Sequence, residues 1–222
     1  DPSNQRAGFN YKQEFGSGNF LKSTFTANTG EIGRFALTFS GVRKTGDGVV
    51  DGTYTDAWSY YLASSFQANA NNRFELYAVG APQSHGQRLY ALNAATYSHE
   101  LASSLDGYDP AALNKFPEAG VNWNPNWGPV NSSYTGTKFA STGPNAGFSI
   151  RQDPNALWER ENFFHKPQVN LNWYSYLGDG LTLNTVTYYS GGRGGGSGTM
   201  GRERYDYSFG QRFVDWDATI AQ

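Results

Sequence analysis

Three histidines and a few closely spaced carboxylates are the residues with which this chain could do covalent chemistry. His85, His99 and His165 lack the i,i+4 spacing of a helical metal motif, and structural hydrogen bonding is their expected role. Acid–base catalysis needs two carboxylates in unlike environments. The pairs on offer are Asp47 with Asp51, Asp106 with Asp109, and Glu159 with Glu161. Each lies in a glycine-rich or polar stretch, where such side chains support local turns. Neither a calcium-loop spacing nor a nucleophile elbow is present. The glycine run Gly191–Gly198 lacks the Lys-Ser/Thr of a phosphate-binding loop and reads as flexible loop. With no cysteine there is no thiolate metal site and no disulfide framework. The chain is therefore not expected to be an enzyme, and no cofactor or metal is expected.

Binding chemistry is the other possibility. Trp123, Trp127, Tyr134 and Trp158 fall in one long stretch between strand patterns, where exposed rings can stack on a sugar or another flat ligand. The same rings can instead pack that stretch against itself. The four are the candidate ligand-binding residues. A net charge of −2 gives no electrostatic case for nucleic acid as a partner.

The elements that must position these rings are strands. Only 16% of residues are charged and 38% hydrophobic, both low, while Gly, Tyr, Thr, Ser and Asn abound, which is an all-β composition. Phe9, Tyr11, Gln13 and Phe15 alternate with Gly8, Asn10, Lys12 and Glu14. Similar period-2 runs follow at Leu21–Asn28, Arg34–Ser40, Trp58–Phe66, Arg73–Ala78, Gln168–Trp173 and Leu181–Asn184. An eighth is expected over Phe213–Ala221. Several runs approach ten residues, the length of a tilted strand crossing a bilayer. No stretch is apolar enough for a transmembrane helix, and no signal peptide opens the sequence, so an exported protein would have begun upstream of Asp1.

Connection lengths sort by end. The links at Thr29–Gly33, Asn69–Asn72 and Gly178–Gly180 are tight hairpin turns, whereas Lys44–Asp56, Ser84–Phe164 and Gly192–Gln211 are long. Only Ser17–Asn19 breaks the sorting. Short turns at one end and long loops at the other is the asymmetry of outer-membrane barrels. The stretch 84–164 is too long for a structureless loop, and short helices are expected over Ala95–Leu105 and after Asp109-Pro110.

Within Phe15–Asp51 the run GSGNFLKSTFTANTGEIGRFALTFSGVRKTGDGVVD resembles the first barrel strands of TonB-dependent outer-membrane receptors. SHGQRLYALNAATYSHELA (Ser84–Ala102) and ENFFHKPQVNLNWYSYLGDGLTLNTVTYYSGGRGGGSGT (Glu161–Thr199) resemble segments of Bacteroidetes-type members. The resemblance implies a transmembrane antiparallel up-and-down β-barrel, of which residues 1–222 are one incomplete domain. They would supply about eight of about 22 strands, just after a plug domain. Residues 84–164 would be a long extracellular loop with short helices. It further implies the outer membrane of a Gram-negative cell and uptake of a bulky nutrient (metal chelate, cobalamin, glycan or peptide). Its partners would be outer-membrane lipid, the TonB energy-transducing complex acting through a plug domain not in this chain, and a surface lipoprotein. Two alternatives stand beside it: a secreted soluble β-domain that binds carbohydrate, and a structural barrel subunit of a surface assembly.

Overall fold

A computed structural model describes residues 1–89, 91–129, 156–198, 202–206 and 213–221. A 3-10 turn at Pro2–Asn4 precedes β1 (Gly8–Gly16), β2 (Phe20–Ile32), β3 (Phe35–Asp47), β4 (Tyr54–Asn69), β5 (Asn72–Gly80) and β6 (Gln83–Gly86). Helices α1 (Ala94–Tyr97), α2 (His99–Ser104) and α3 (Ala111–Lys115) follow, then β7 (Trp127–Pro129), β8 (Ala156–Trp158), β9 (Glu161–His165), β10 (Gln168–Gly178) and β11 (Leu181–Ser190). β12 (Arg193–Gly196), β13 (Arg204–Asp206), β14 (Phe213–Asp215) and α4 (Trp216–Ile220) complete the order. Strand accounts for more than half of the described residues and helix for little, so the class is antiparallel all-β. No helix among the described residues is long and apolar enough to cross a membrane, which says nothing of strands.

The chain divides into two compact units. One holds Asp1–Gly46, Asp56–Gln83 and Phe164–Gly194; the other holds Asp47–Thr55, Ser84–Phe163 and Gly195–Gln222.

The first unit is a meander of long strands in the order β1-β2-β3-β4-β5-β10-β11. Among the described residues β1 and β11 each pair on one side only, so the sheet is open and no closed barrel is formed. Tight turns set its register. The chain reverses between Ile32 and Phe35 and between Asn69 and Asn72, and Asp179 (φ 50°) with Gly180 (φ 77°) gives the paired positive-φ turn that matches strand twist. Register then sorts the side chains into two faces. Phe9 pairs with Ala27, Tyr11 with Phe25 and Phe15 with Leu21; Ala27 pairs with Phe39. Leu62 pairs with Ala78 and Phe66 with Phe74; Ala78 then pairs with Val169, Leu76 with Leu171 and Phe74 with Trp173. From β1 to β10 one face is therefore mainly aliphatic and aromatic, interrupted by Gln13, Ser23, Arg43 and Ser64, and at β11 it continues with Thr185 and Thr187. The other carries Asn10, Lys12, Glu14, Lys22, Thr24, Thr26, Thr38, Ser40, Ser65, Arg73, Glu75, Asn170 and Asn172.

Burial is the reverse of a soluble core. The fully buried apolar side chains of this unit are alanines, Ala36 and Ala63. Phe39 is 40% exposed and Leu171 46%, and Leu37, Leu76, Val169 and Leu183 are similarly open, whereas Ser65 and Glu75 on the polar face are buried. Soluble domains bury Leu and Phe and expose Glu.

In the second unit β6 pairs β9, and β9 pairs β12. The glycine run expected as flexible loop is in part that strand, and close approach explains its composition. A Cβ on Gly196 would sit 2.9 Å from the Glu161 carbonyl oxygen, and one on Gly195 would sit 3.1 Å from the Phe163 ring. Asn93 caps α1 at Ala95 N, and Ser98 caps α2 at Leu101 N.

The expected eighth strand over Phe213–Ala221 is not formed as such. Strand ends at Asp215, whose carboxylate accepts from Ala218 N (2.9 Å) and caps α4, and the chain continues as helix. A side-chain cap satisfies an amide that a sheet edge would otherwise have to pair.

Candidate functional site

The polar face of the first unit centres on Arg73 and Glu75 of β5, two residues apart and so on one face. Glu75 is only 4% exposed. Its carboxylate forms an ion pair with Arg73, accepts from Tyr77 Oη (2.6 Å), and accepts more weakly from Tyr174 Oη (3.4 Å). Arg73 and Tyr174 are Cα partners across β5 and β10, which sets the guanidinium 6.0 Å above the ring. Tyr61 and Tyr77 lie 6.4 Å apart. A cleft of about 240 Å³ opens beside Arg73, lined also by Gln67, Asn71, Tyr174, Tyr176 and Asn184. Toward β1 the wall charges neutralise one another: Glu14 lies 3.0 Å from Lys12 and 2.9 Å from Lys22. The surface so formed offers rings, amides and hydroxyls for binding. It holds no nucleophile with a base at its side.

At the long-loop end of the apolar face, Arg43 packs its guanidinium 4.9 Å from the Trp58 ring and pairs with Asp56. Tyr60 Oη and His165 Nε2 are 3.0 Å apart, and Gly80 leaves the room they need, since a Cβ there would lie 2.7 Å from His165 Nε2. The other two histidines are engaged locally: His99 Nε2 with the Phe116 carbonyl (2.9 Å) and His85 with Gln87 Nε2 (3.4 Å).

In the second unit the structure brings together two of the four predicted ring residues. Trp127 and Trp158 are Cα partners across β7 and β8. Trp123 stands just upstream, and its carbonyl accepts from Arg88 Nη1 (2.9 Å). Tyr134 and the side chain of Trp158 lie outside the described residues. Trp127 is half-buried against Gly52, at φ +68°, where any Cβ would overlap its indole. That contact packs one side of the Trp127 indole against the loop.

What the sequence did not reveal is the polar core of this unit. Glu159 and Glu161, read as turn carboxylates, are both buried. Glu159 accepts from Asn126 Nδ2 (2.8 Å) and lies 3.0 Å from Arg160. Asn126 Oδ1 accepts from Leu89 N (3.2 Å), and Asn124 donates to the Asp51 carbonyl (2.8 Å). Glu161 accepts from Tyr54 Oη (2.6 Å). Ser197 Oγ accepts from Glu161 N (2.7 Å) and donates to the Glu159 carbonyl (3.1 Å). Five separate stretches are thereby joined, and the carboxylates tie them together. Partial burial holds the Asp51 carboxyl above its usual range, with the Arg88 charge opposing. Among the described residues no cluster of three metal-capable side chains occurs.

No family model, curated protein or solved structure matches this chain.

Proposed function

We propose that the chain forms wall strands and outer loops of an outer-membrane barrel that takes up a bulky nutrient in a TonB-dependent manner. The observation that carries this is the inverted burial of the long-stranded sheet. Its mainly apolar face is open at Leu37, Phe39, Leu76 and Leu171, while its polar face buries Glu75. Lipid is the solvent for which such a face is made.

The dimensions agree. Trp58 and Phe66 lie eight residues apart on the apolar face of β4. That is about 26 Å along the strand and, at a tilt of about 40°, about 20 Å along the membrane normal. Aromatics mark both levels. Phe35 and Phe66 lie 5.3 Å apart, and Phe74 and Trp173 stack at 6.0 Å, at the short-turn end. Trp58 and Tyr60 stand at the long-loop end. Two such girdles about an apolar band are the pattern of a transmembrane barrel. Arg43 is on this face only at the upper girdle, where a charge costs little.

The polar wall, with its cleft and tyrosines, faces the barrel interior in this reading. The likeness of Phe15–Asp51, Ser84–Ala102 and Glu161–Thr199 to TonB-dependent receptors supports the transport role. A plug outside this chain would couple it to the energy-transducing complex, and the helical loop unit would face ligand or a surface lipoprotein.

Fractionation of the native cell tests the proposal. The protein is expected in the outer membrane, extractable only with detergent, in a polypeptide several times larger than 24.4 kDa. A 24.4 kDa protein soluble without detergent would refute it and favour a secreted binding domain.

A further inference from the structure

We infer that Arg73 is a carboxylate-binding site on the polar wall, and that its resident ligand is the side chain of Asp1, which straps the chain ahead of β1 to the sheet. The two oxygens of that carboxylate divide the work. Oδ1 accepts from Ser3 N (2.9 Å) and Ser3 Oγ (2.8 Å), closing the Pro2–Asn4 turn. Oδ2 forms the ion pair with Arg73 Nη2. The strap is fitted elsewhere too. Pro2 is buried. Gly30 adopts φ +65°, and a Cβ there would stand 3.0 Å from Ala7 N. A glycine at this bulge therefore lets the strap pass close to β2.

The seat is built independently of its occupant. Glu75 and the Tyr174 ring fix the guanidinium, and Arg73 Nε is buried without a partner, so the cation keeps donor capacity after both ion pairs. Glu75 has hydroxyl donors of its own in Tyr77 and Tyr174 and does not depend on Arg73 alone. Asp1 and Glu75 are both held by Nη2 of Arg73, whose two N–H bonds serve both carboxylates at once. Tension on the chain ahead of β1 is borne first at this latch, before it reaches edge strand β1. The geometry holds whether the polar wall lines a barrel or faces bulk water.

The chain has no cysteine, so Gln5→Cys gives a single site for a nitroxide on the exposed strap. In the full protein in detergent, spin-label spectra should show a mostly immobilised strap. Asp1→Asn and Arg73→Gln should each raise the mobile fraction about two- to fivefold, the range for a half-exposed ion pair. The double variant should equal the larger single effect, because both remove one contact. Glu75→Gln should leave the strap as immobile as before, since Asp1 has its own contact with Nη2. Asp1→Asn leaves the wall intact and decides the matter even if Arg73→Gln does not fold. Unchanged mobility in Asp1→Asn, additive effects in the double variant, or a loosened strap in Glu75→Gln would overturn the inference.

Discussion

Replacing Phe39 with arginine separates a lipid-facing sheet from one that faces water. Phe39 lies four residues from Phe35 and four from Arg43 on the apolar face of β3. In a tilted strand that is about 10 Å along the membrane normal from either girdle, near mid-bilayer. The ring is 40% exposed and lies 5.9 Å from Phe25. Two effects must be separated. Loss of the aromatic pair costs about 0.5–1.5 kcal/mol, and Phe39→Ala measures it together with the lost burial. Placing a guanidinium at mid-bilayer costs about 2–4 kcal/mol more on a barrel's lipid face. The Arg variant should therefore unfold about 30- to 900-fold more readily than the Ala variant. In water a half-exposed arginine costs no more than alanine, within about 0.5 kcal/mol. Thr38→Arg, one residue away on the polar face, loses a hydrogen bond to Asn28 and should cost only about 1 kcal/mol. The assay is reversible urea unfolding of the protein folded into lipid vesicles, with the slope checked for constancy. If Phe39→Arg and Phe39→Ala differ by less than about 0.5 kcal/mol, the apolar face does not meet lipid and the reasoning fails.

Other expectations follow from single contacts. Gly80→Ala drives a methyl between Tyr60 and His165 and should destabilise the sheet by about 1–3 kcal/mol in the same urea assay. Glu159→Ala strands Asn126 and Arg160 in a buried site. It should cost the loop unit about 3–5 kcal/mol, seen as faster amide exchange and proteolysis within 84–129, with β10–β11 protection unchanged. Asp51 has a folded pKa raised above its unfolded value of 3.8. Its contribution is fully present below that value and is lost as pH rises through the folded pKa. Asp51→Asn should remove this loss, so the loop unit's protection factors, corrected for the pH dependence of intrinsic exchange, should no longer fall between pH 4 and the folded pKa.

The strands were legible in the sequence where one face is apolar. Val169, Leu171 and Trp173 against Gln168, Asn170 and Asn172 name β10 by alternation alone, and Phe9 and Tyr11 do the same for β1. Strand ends were less legible. β2 and β3 run past their alternation because a register shift at Asn28–Glu31 absorbs Gly30, and Thr29 Oγ1 accepts from Leu37 N across it. Period-2 reasoning has no term for a bulge. Phe213–Ala221 reads as strand from its aromatics, yet Asp215 capping Ala218 starts a helix; the cue was a capping aspartate followed by Asp217 in the first turn. The polar core of the loop unit was out of reach for another reason. Tyr54 meets Glu161 across more than a hundred residues of sequence and Asn126 meets Glu159 across 33, and carboxylates and amides look the same in a sequence whether solvated or buried. Trp123 and Trp127 were identified as ring residues in one loop, but the glycine beneath Trp127 was not.

The most direct test of lipid contact is a scan of single cysteines through Gln168–Trp173 in this cysteine-free chain, each carrying a nitroxide and read for collision with oxygen against a water-soluble nickel chelate in vesicles. A lipid-facing sheet gives strict alternation, with positions 169, 171 and 173 open to oxygen and closed to nickel, and 168, 170 and 172 the reverse. Nickel access at 169, 171 and 173 equal to that of their neighbours would contradict it.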